Sequence, residues 1–442
     1  MTIKIAVLKE TKPHEKRVAA TPETIKKLLA LGGFITVESG AGEAASITDQ
    51  AYKDAGATIA KSTADALKNA QIILKVQAPS EAELKTYPSK ALLIGTLSPF
   101  GNESFIQKIA DQGLNAFSME LVPRITRAQS MDVLSSQSNL AGYKAVLDAC
   151  EYYGRALPMM MTAAGTIPPA KVFVMGAGVA GLQAIATAKR LGAVVSATDV
   201  RPAAKEQVES LGGSFVAVQD DEFKEAETAG GYAKEMSKEY QAKQAALVAE
   251  HISKQDIVVT TALIPGRPAP KLITEDMVKS MKKGSVIVDL AVETGGNCAV
   301  SKPGEVVQKH GVTIIGHLNV PSRLAADTSA LYARNLVNLL GLIIDKDSGE
   351  LKVEWDDDII KGVALVKDGK LVHPNFKGAS KSAAKTVKKS KAAPKSSPKK
   401  PSAETAKKPA AKKSTTKKTA TKKSASPKKA PAKKTTKSSP KT

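Results

Sequence analysis

Lys171-Val-Phe-Val-Met-Gly-Ala-Gly-Val-Ala-Gly181 puts a short apolar run immediately before Gly-x-Gly-x-x-Gly. The run has the length of a buried strand, and the residues after it, through Arg190, read as a helix. Each glycine has its own reason. Gly176 permits a tight turn, Gly178 lets the backbone approach a pyrophosphate, and Gly181 lets helix and strand pack closely. The helix N-terminus, with Val179 and Ala180 in its first turn, offers free N–H groups and a positive dipole end. The next apolar run, Val194–Thr198, ends at Asp199, 18 residues past Gly181. An acid there can accept from an adenosine ribose diol and repel a 2′-phosphate, which favours NAD(H) over NADP(H). Arg201 tempers that choice, because a guanidinium can accommodate the phosphate. The bland alternative is a glycine turn with no ligand; strand, helix and acid in register argue for a dinucleotide site.

Outward from this unit, short apolar runs alternate with helical stretches in both directions. Ile3–Leu8, Phe34–Glu38, Ile72–Val76, Ala91–Ile94 and Leu114–Phe117 are expected strands before it. Ile257–Thr260, Val286–Asp289 and Val312–Ile315 are expected strands after it. Thr21 and Pro22 read as the start of a helix. Such alternation argues α/β architecture with parallel sheets covered on both faces. Two linker helices are expected, Ser138–Tyr153 and Ala325–Ile344, the second with Leu331, Leu336, Leu339 and Leu340 at helical spacing. The fold expectation is two Rossmann-like, doubly wound domains flanking a cleft. The first is discontinuous (1–137 and 326–376), the second spans 138–325, and a disordered basic tail covers 377–442.

Charge divides the chain sharply. It carries 65 Lys+Arg against 43 Asp+Glu, yet residues 377–442 alone hold 23 Lys and one acid, Glu404. The remaining residues have 42 of each sign, so the body is neutral and is not a basic nucleic-acid-binding domain. Cys150 and Cys298 are too few and too far apart for a disulfide framework, which suits a reducing cytoplasm. The N-terminal stretch does not read as a signal peptide, and no apolar run reaches the ~20 residues of a membrane span. His14, His251, His310, His317 and His373 lack metal-ligand spacing, so no metal is expected.

Longer motifs sharpen the reading. Arg124-Ile-Thr-Arg-Ala-Gln-Ser-Met-Asp-Val-Leu-Ser-Ser-Gln-Ser-Asn-Leu-Ala-Gly-Tyr143 and Met159-Met-Met-Thr-Ala-Ala-Gly165 resemble the NAD(H)-binding component, domain I, of proton-translocating NAD(P) transhydrogenases. Thr228–Met236, Thr260–Gly266, Asp289–Asn297 and Asn319–Ser322 continue the resemblance, which covers about residues 1–376. It implies direct hydride transfer to NADP(H) held by a partner subunit, a membrane-spanning proton-channel subunit, and a homodimer of this component. It also implies a cytoplasmic position, peripheral on the inner membrane through those partners. Arg124, Gln129 and Asp132 match the family's principal polar residues at the nicotinamide end, with Thr126 and Arg127 lining the site. Dinucleotide contacts match Val179, Ala180, Gly181, Asp199, Val200, Arg201, Gly231, Gln244 and Leu263, alongside Gly176 and Gly178 of the fingerprint. Gly230-Gly-Tyr232 resembles the tip of a mobile loop that covers bound nucleotide. Without the resemblance, 124–132 reads as a solvated polar loop.

The same segments also resemble alanine dehydrogenase, which reduces a 2-oxo acid. Arg17 and Lys75 match that enzyme's carboxylate-gripping pair, and Lys75 is odd inside the run Ile72–Val76. Oxo-acid reduction needs a general acid–base group. The matching stretch, Leu92-Leu-Ile-Gly-Thr-Leu-Ser-Pro99, carries no titratable side chain, and the second catalytic aspartate falls near Glu293. Direct hydride exchange needs neither, so transhydrogenation is the expected activity and a 2-oxo acid dehydrogenase the alternative. A third reading is a polyanion-binding protein with a dehydrogenase-like body.

The tail resembles histone H1-like lysine/alanine/proline tails. It has no aromatic residue to stack on bases and no Arg to read guanine. DNA or RNA tethering, adhesion to an anionic membrane surface, and a solvated extension all stay open.

Overall fold

The computed structural model describes residues 3–224, 236–264 and 266–376. The lysine-rich segment 377–442, Gly231 and the 230–232 loop tip lie outside the described residues. The strands, in chain order, are β1 (Ile3–Val7), β2 (Gly33–Glu38), β3 (Thr58–Ala60), β4 (Ile72–Gln77), β5 (Leu92–Thr96) and β6 (Asn115–Ser118). A short hairpin follows, β7 (Met160–Thr162) and β8 (Gly165–Ile167). Then come β9 (Lys171–Met175), β10 (Val194–Thr198), β11 (Ser214–Phe215), β12 (Ile257–Thr260), β13 (Val286–Asp289), β14 (Val306–Lys309) and β15 (Val312–Ile315). β16 (Ala364–Lys367) and β17 (Lys370–Leu371) come last.

They form two large sheets of α/β type. The first runs β17-β16-β6-β5-β4-β1-β2-β3; β1 to β6 are parallel, and β16 and β17 add an antiparallel edge. The second runs β11-β10-β9-β12-β13-β15-β14, parallel except at β14. In both sheets the strand order reverses in the middle, between β1 and β4 and between β9 and β12, which opens a crevice beyond the strand C-termini. Their strands are apolar on both faces because helices cover both. In β4, Ile72, Ile73, Leu74 and Val76 are fully buried; Ile72, Leu74 and Val76 face one core cluster and Ile73 another.

Helix α1 (Pro22–Ala30) starts where expected, with Thr21 extended at its N-cap and Thr21 N donating to Thr24 Oγ1 at 2.8 Å. Helix α2 (Val133–Tyr152) carries the chain from the first sheet to the second and begins five residues before the expected Ser138. Asp132 is the reason. Its carboxylate caps the helix by accepting from Ser135 N at 2.9 Å. Ser136 and Gln137 look too polar for a packed helix, but Ser136 Oγ donates to Asn335 Oδ1 at 2.8 Å and Gln137 Nε2 to Thr328 O at 3.2 Å. Helix α3 (Val179–Arg190) follows the glycine fingerprint, and helix α4 (Ala325–Ile343) returns the chain to the first sheet. Leu336, Leu339 and Leu340 of α4 are fully buried in the first sheet's core. At ~1.5–3 kcal/mol each, they hold the returning segment in place.

Several strands escaped the sequence reading, the two-residue Ser214–Phe215 among them. Thr58–Ala60 is too short to show a period, and Val306–Lys309 is a mostly exposed edge strand. The Met160–Ile167 hairpin has every strand residue exposed, so its apolar content does not mark burial. Among the described residues no helix is long and apolar enough to cross a membrane.

Candidate functional site

The glycine turn sits at the reversal point of the second sheet. Gly176 has φ +102°, and a Cβ there would lie 2.6 Å from Thr261 Oγ1. Gly181 is held closer still, with its Cβ position 1.8 Å from Gly176 O. Gly178, the N-cap of α3, faces open space and offers no side-chain cap. The first-turn N–H groups of α3 therefore point into a volume that a Cβ would begin to fill, a fit for a pyrophosphate. Val179, Val200 and Leu263 lie 40%, 53% and 55% exposed around it, an apolar rim suited to flat rings. Ala180 belongs to the same first turn.

Asp199 ends β10 as expected, but its carboxylate is already engaged. Ala177 N donates to Oδ2 at 2.7 Å, and Arg201 donates from N at 2.9 Å, Nε at 3.0 Å and Nη2 at 3.1 Å. Arg201 Nη2 also reaches Ala177 O at 3.2 Å. The acid, the arginine and the glycine turn thus form one unit. Gln244 comes to the same strand end, donating to Thr198 Oγ1 at 3.1 Å and accepting from Val218 N at 2.9 Å.

The loop 124–132 is a 3-10 turn, Thr126–Met131, pinned by buried Ala128 and Met131. Arg124, Thr126, Arg127 and Gln129 line its outer side; Thr126 and Arg127 are exposed. Arg127 Nη1 pairs with Asp357 Oδ2 at 2.7 Å, a partner the sequence did not suggest. Asp132 caps α2. From Asp132, α2 runs ~15 Å to Gly142. A Cβ at Gly142 would lie 1.9 Å from Ala180 O, so α2 crosses the first turn of α3 backbone to backbone. One rigid helix thereby joins the 124–132 loop to the glycine fingerprint.

Arg17 and Lys75 are both buried, at 6% and 1% exposure, and both are taken up by glutamates. Arg17 donates to Glu15 from Nε at 2.8 Å and Nη2 at 2.6 Å, and to Gln137 Oε1 at 2.8 Å. Glu15 also accepts from Gln77, Asn319 and Ser322. Although burial alone would raise its pKa, the Arg17 and Asn319 donors win and hold it at about 2. Lys75 Nζ lies 3.0 Å from Glu83 Oε1 and 3.4 Å from Glu10 Oε2. Burial pushes the Glu10 carboxyl up to about 7, with Lys75 only partly offsetting it. Lys75 does not snorkel from a strand end. The Arg17 network also spans the molecule, since Asn319 and Ser322 follow the second sheet and Gln137 lies on α2.

The stretch 97–99 after β5 carries no acid–base side chain. Leu97 N and Ser98 N donate to Glu120, whose pKa burial raises, and Thr96 Oγ1 lies 3.4 Å from Tyr332 OH. His251 bonds Ser196 Oγ at 2.8 Å and His310 meets Glu275 at 2.8 Å, both away from the glycine turn. Burial raises the Cys298 thiol pKa, so it is no ready nucleophile. Among the described residues no group of three metal-ligating side chains occurs.

Residues 6–141 match the family model described as Alanine dehydrogenase/PNT, N-terminal domain, and residues 145–374 match its C-terminal domain. The chain is 57% identical over 381 residues to an NAD(P) transhydrogenase alpha-subunit polypeptide of Rhodospirillum rubrum, covering 85% of this chain and 99% of that one. The corresponding polypeptide of Rickettsia prowazekii is 48% identical, covering 84% and 96%. Alanine dehydrogenase of Halomonas elongata is 31% identical, covering 84% and 95%. The solved transhydrogenase of Sinorhizobium meliloti superposes with TM-score 0.77 at 57% identity, covering 84% of this chain and 100% of that one. A solved L-alanine dehydrogenase gives TM-score 0.73 at 25% identity, covering 86% and 99%.

Proposed function

The chain belongs to the alanine dehydrogenase/PNT family, and from that premise we propose that it is the NAD(H)-binding subunit of a proton-translocating NAD(P) transhydrogenase. The observation that carries this reading is a glycine turn and helix N-terminus shaped for a pyrophosphate, together with a stretch 97–99 after β5 that has no acid–base side chain of its own, the nearby Glu120 being taken up by the Leu97 and Ser98 N–H groups. A reduced nicotinamide supplies a hydride, which moves with both bonding electrons and needs no protein proton. The chain's own task is then to bind and orient. The first turn of α3, with Gly176, Gly178, Val179, Ala180 and Gly181, holds the pyrophosphate. Asp199, Val200 and Arg201 hold the adenosine end, and Gln244, Leu263 and Gly231 complete the cofactor contacts. Arg124, Gln129 and Asp132 orient the nicotinamide end, with Thr126 and Arg127 beside them.

NADP(H) then resides on a partner subunit that docks over the cleft, and a membrane-spanning subunit conducts the protons. This places the protein on the cytoplasmic face of the inner membrane through those subunits. The two sheets serve as two domains, 1–137 with 326–376 and 138–325, and the cleft between them receives the nicotinamide. A homodimer is supported by a cluster of exposed apolar side chains. It comprises Met160, Met161 and Ile167 of the hairpin and Met159 just before it, Met161 being 79% exposed. The composition of residues 377–442, 23 Lys and one acid, supports a histone H1-like lysine-rich segment that binds a polyanion, nucleic acid or anionic membrane.

The test mixes the full chain with NADH and an NADP(H)-binding transhydrogenase component. Reduction of NADP+ at the expense of NADH is expected. NADH formed from alanine and NAD+ by the chain alone, with no exchange, would move it to the dehydrogenase branch.

A further inference from the structure

One buried side chain closes the loop that follows β12. Asn297 is fully buried. Its Oδ1 accepts from Ala262 N at 3.0 Å, while its Nδ2 donates to Ala262 O at 2.9 Å and to Pro270 O at 2.8 Å. The amide pairs with the N–H and the C=O of one residue, as an opposed residue on a neighbouring strand would, and ties residue 262 to residue 270. Asn297 is itself anchored. Its N–H donates to Asp289 Oδ1 at 3.1 Å, and its carbonyl accepts from Leu272 N at 2.8 Å and Ile273 N at 3.0 Å. Asp289, 1% exposed, also accepts from Thr260 Oγ1, Ala291 N, Cys298 N and Ser301 Oγ.

The base of this loop is locked to the glycine fingerprint as well. Thr261 N donates to Met175 O at 2.9 Å and Thr261 Oγ1 to Gly176 O at 3.0 Å. Beyond the tie, Leu263 and Ile264 stand exposed, and Gly266 adopts φ +71°. Gly266 lies against Phe100, with a Cβ position 3.1 Å from Phe100 Cδ1. Phe100 follows β5, so the first sheet props the far side of a loop rooted in the second.

We propose that Asn297 is a positioning residue for hydride transfer. By tying Ala262 to Pro270 it sets Leu263 and Ile264 as a wall of the cofactor site, and Phe100 braces Gly266 from across the cleft. The inference rests on the transhydrogenase reading and extends it to two residues outside the cofactor contacts. The physical reason is geometric. Pyrophosphate and adenosine supply most of the affinity elsewhere, whereas transfer between two rings falls ~100-fold for a misplacement of ~1 Å.

The test uses Asn297→Asp in the full chain, which keeps size and acceptor but turns a carboxylate toward two carbonyl oxygens. NADH affinity is titrated, single-turnover exchange with an NADP+-loaded partner component is timed, and amide exchange is followed in 261–270. The expected result is faster amide exchange in that loop, transfer slowed ~10-fold or more, and an NADH Kd changed by less than ~3-fold. Phe100→Ala, at an exposed residue outside any strand, is expected to show the same split and decides the matter if Asn297→Asp does not fold. Unchanged transfer with a loosened loop, or affinity and transfer falling in parallel, overturns the inference. Wild-type chain that exchanges no hydride sinks the functional reading itself, whereas active wild type matched by both variants sinks only the positioning role.

Discussion

Arg201 lies alongside Asp199 as a fork, with Nε 3.0 Å from Oδ1 and Nη2 3.1 Å from Oδ2. The pair joins the two residues with opposite preferences for a 2′-phosphate. While it holds, the guanidinium is turned toward the acid and the glycine turn, and the carboxylate keeps acceptor capacity for the ribose diol of the proposed site.

Cofactor choice follows from that fork. NADH is expected to bind more tightly than NADPH. Asp199→Ala should weaken NADH ~10-fold or more, the worth of a charged hydrogen bond. The same change releases Arg201 for a 2′-phosphate, so NADPH should weaken less or improve. Fluorescence titration of both cofactors checks this, and an unchanged ratio contradicts it.

Binding and transfer should separate at Gln129. It belongs to the 124–132 loop, away from the fingerprint to which the proposed site assigns the phosphates. Gln129→Ala should slow exchange with an NADP(H)-binding component by ~10–100-fold, more than it weakens NADH. A variant that loses affinity but keeps full single-turnover transfer would refute the assigned role.

Gly142 should tolerate no side chain. A Cβ 1.9 Å from Ala180 O forces α2 off α3, so Gly142→Ala should cost ~1–3 kcal/mol and weaken NADH together. Gly341, exposed on helix α4 with nothing within 4 Å of its Cβ position, is the control. Gly341→Ala should stabilise by ~0.5–1 kcal/mol. Equal melting temperatures for the two variants would show that the helix contact is loose.

Acid stability should depend on Glu15. Its pKa is lowered from 4.5 to about 2. A depressed carboxyl stabilises the fold above its unfolded value, so the contribution is present above pH 4.5 and lost as pH falls toward 2. The size is of order 3 kcal/mol. Denaturant unfolding from pH 2 to 7 should show Glu15→Gln less stable at pH 7 and flatter below 4.5. Parallel curves would remove Glu15 from the network's energetics. Glu10, raised to about 7, acts with opposite sign and favours the fold at low pH, its share fading as pH rises through 7.

The tail should be separable from the chemistry. A chain ending at Phe376 is neutral, with 42 charges of each sign. It should keep NADH affinity and exchange, and lose low-salt retention on DNA or anionic vesicles. Retention of the whole chain should fall steeply with salt. Loss of exchange in the shortened chain would mean that the tail docks a partner.

Sequence by itself determined the α/β class, the glycine fingerprint, Asp199 and the charge boundary at 377. Each of these is local: a strand-length apolar run, a turn only glycine permits, or a composition. Tertiary structure decided what the polar groups do, because their partners are remote. Arg17 meets Glu15 two residues away, but Asn319 is 302 residues off, and only the return of α4 brings that end back. Asp132 became a helix cap, Arg127 found Asp357, and Asn297 found Ala262 and Pro270, contacts that no local period encodes. A buried donor or acceptor must be paired, and which groups are buried is fixed only when the two sheets and their linker helices close on one another.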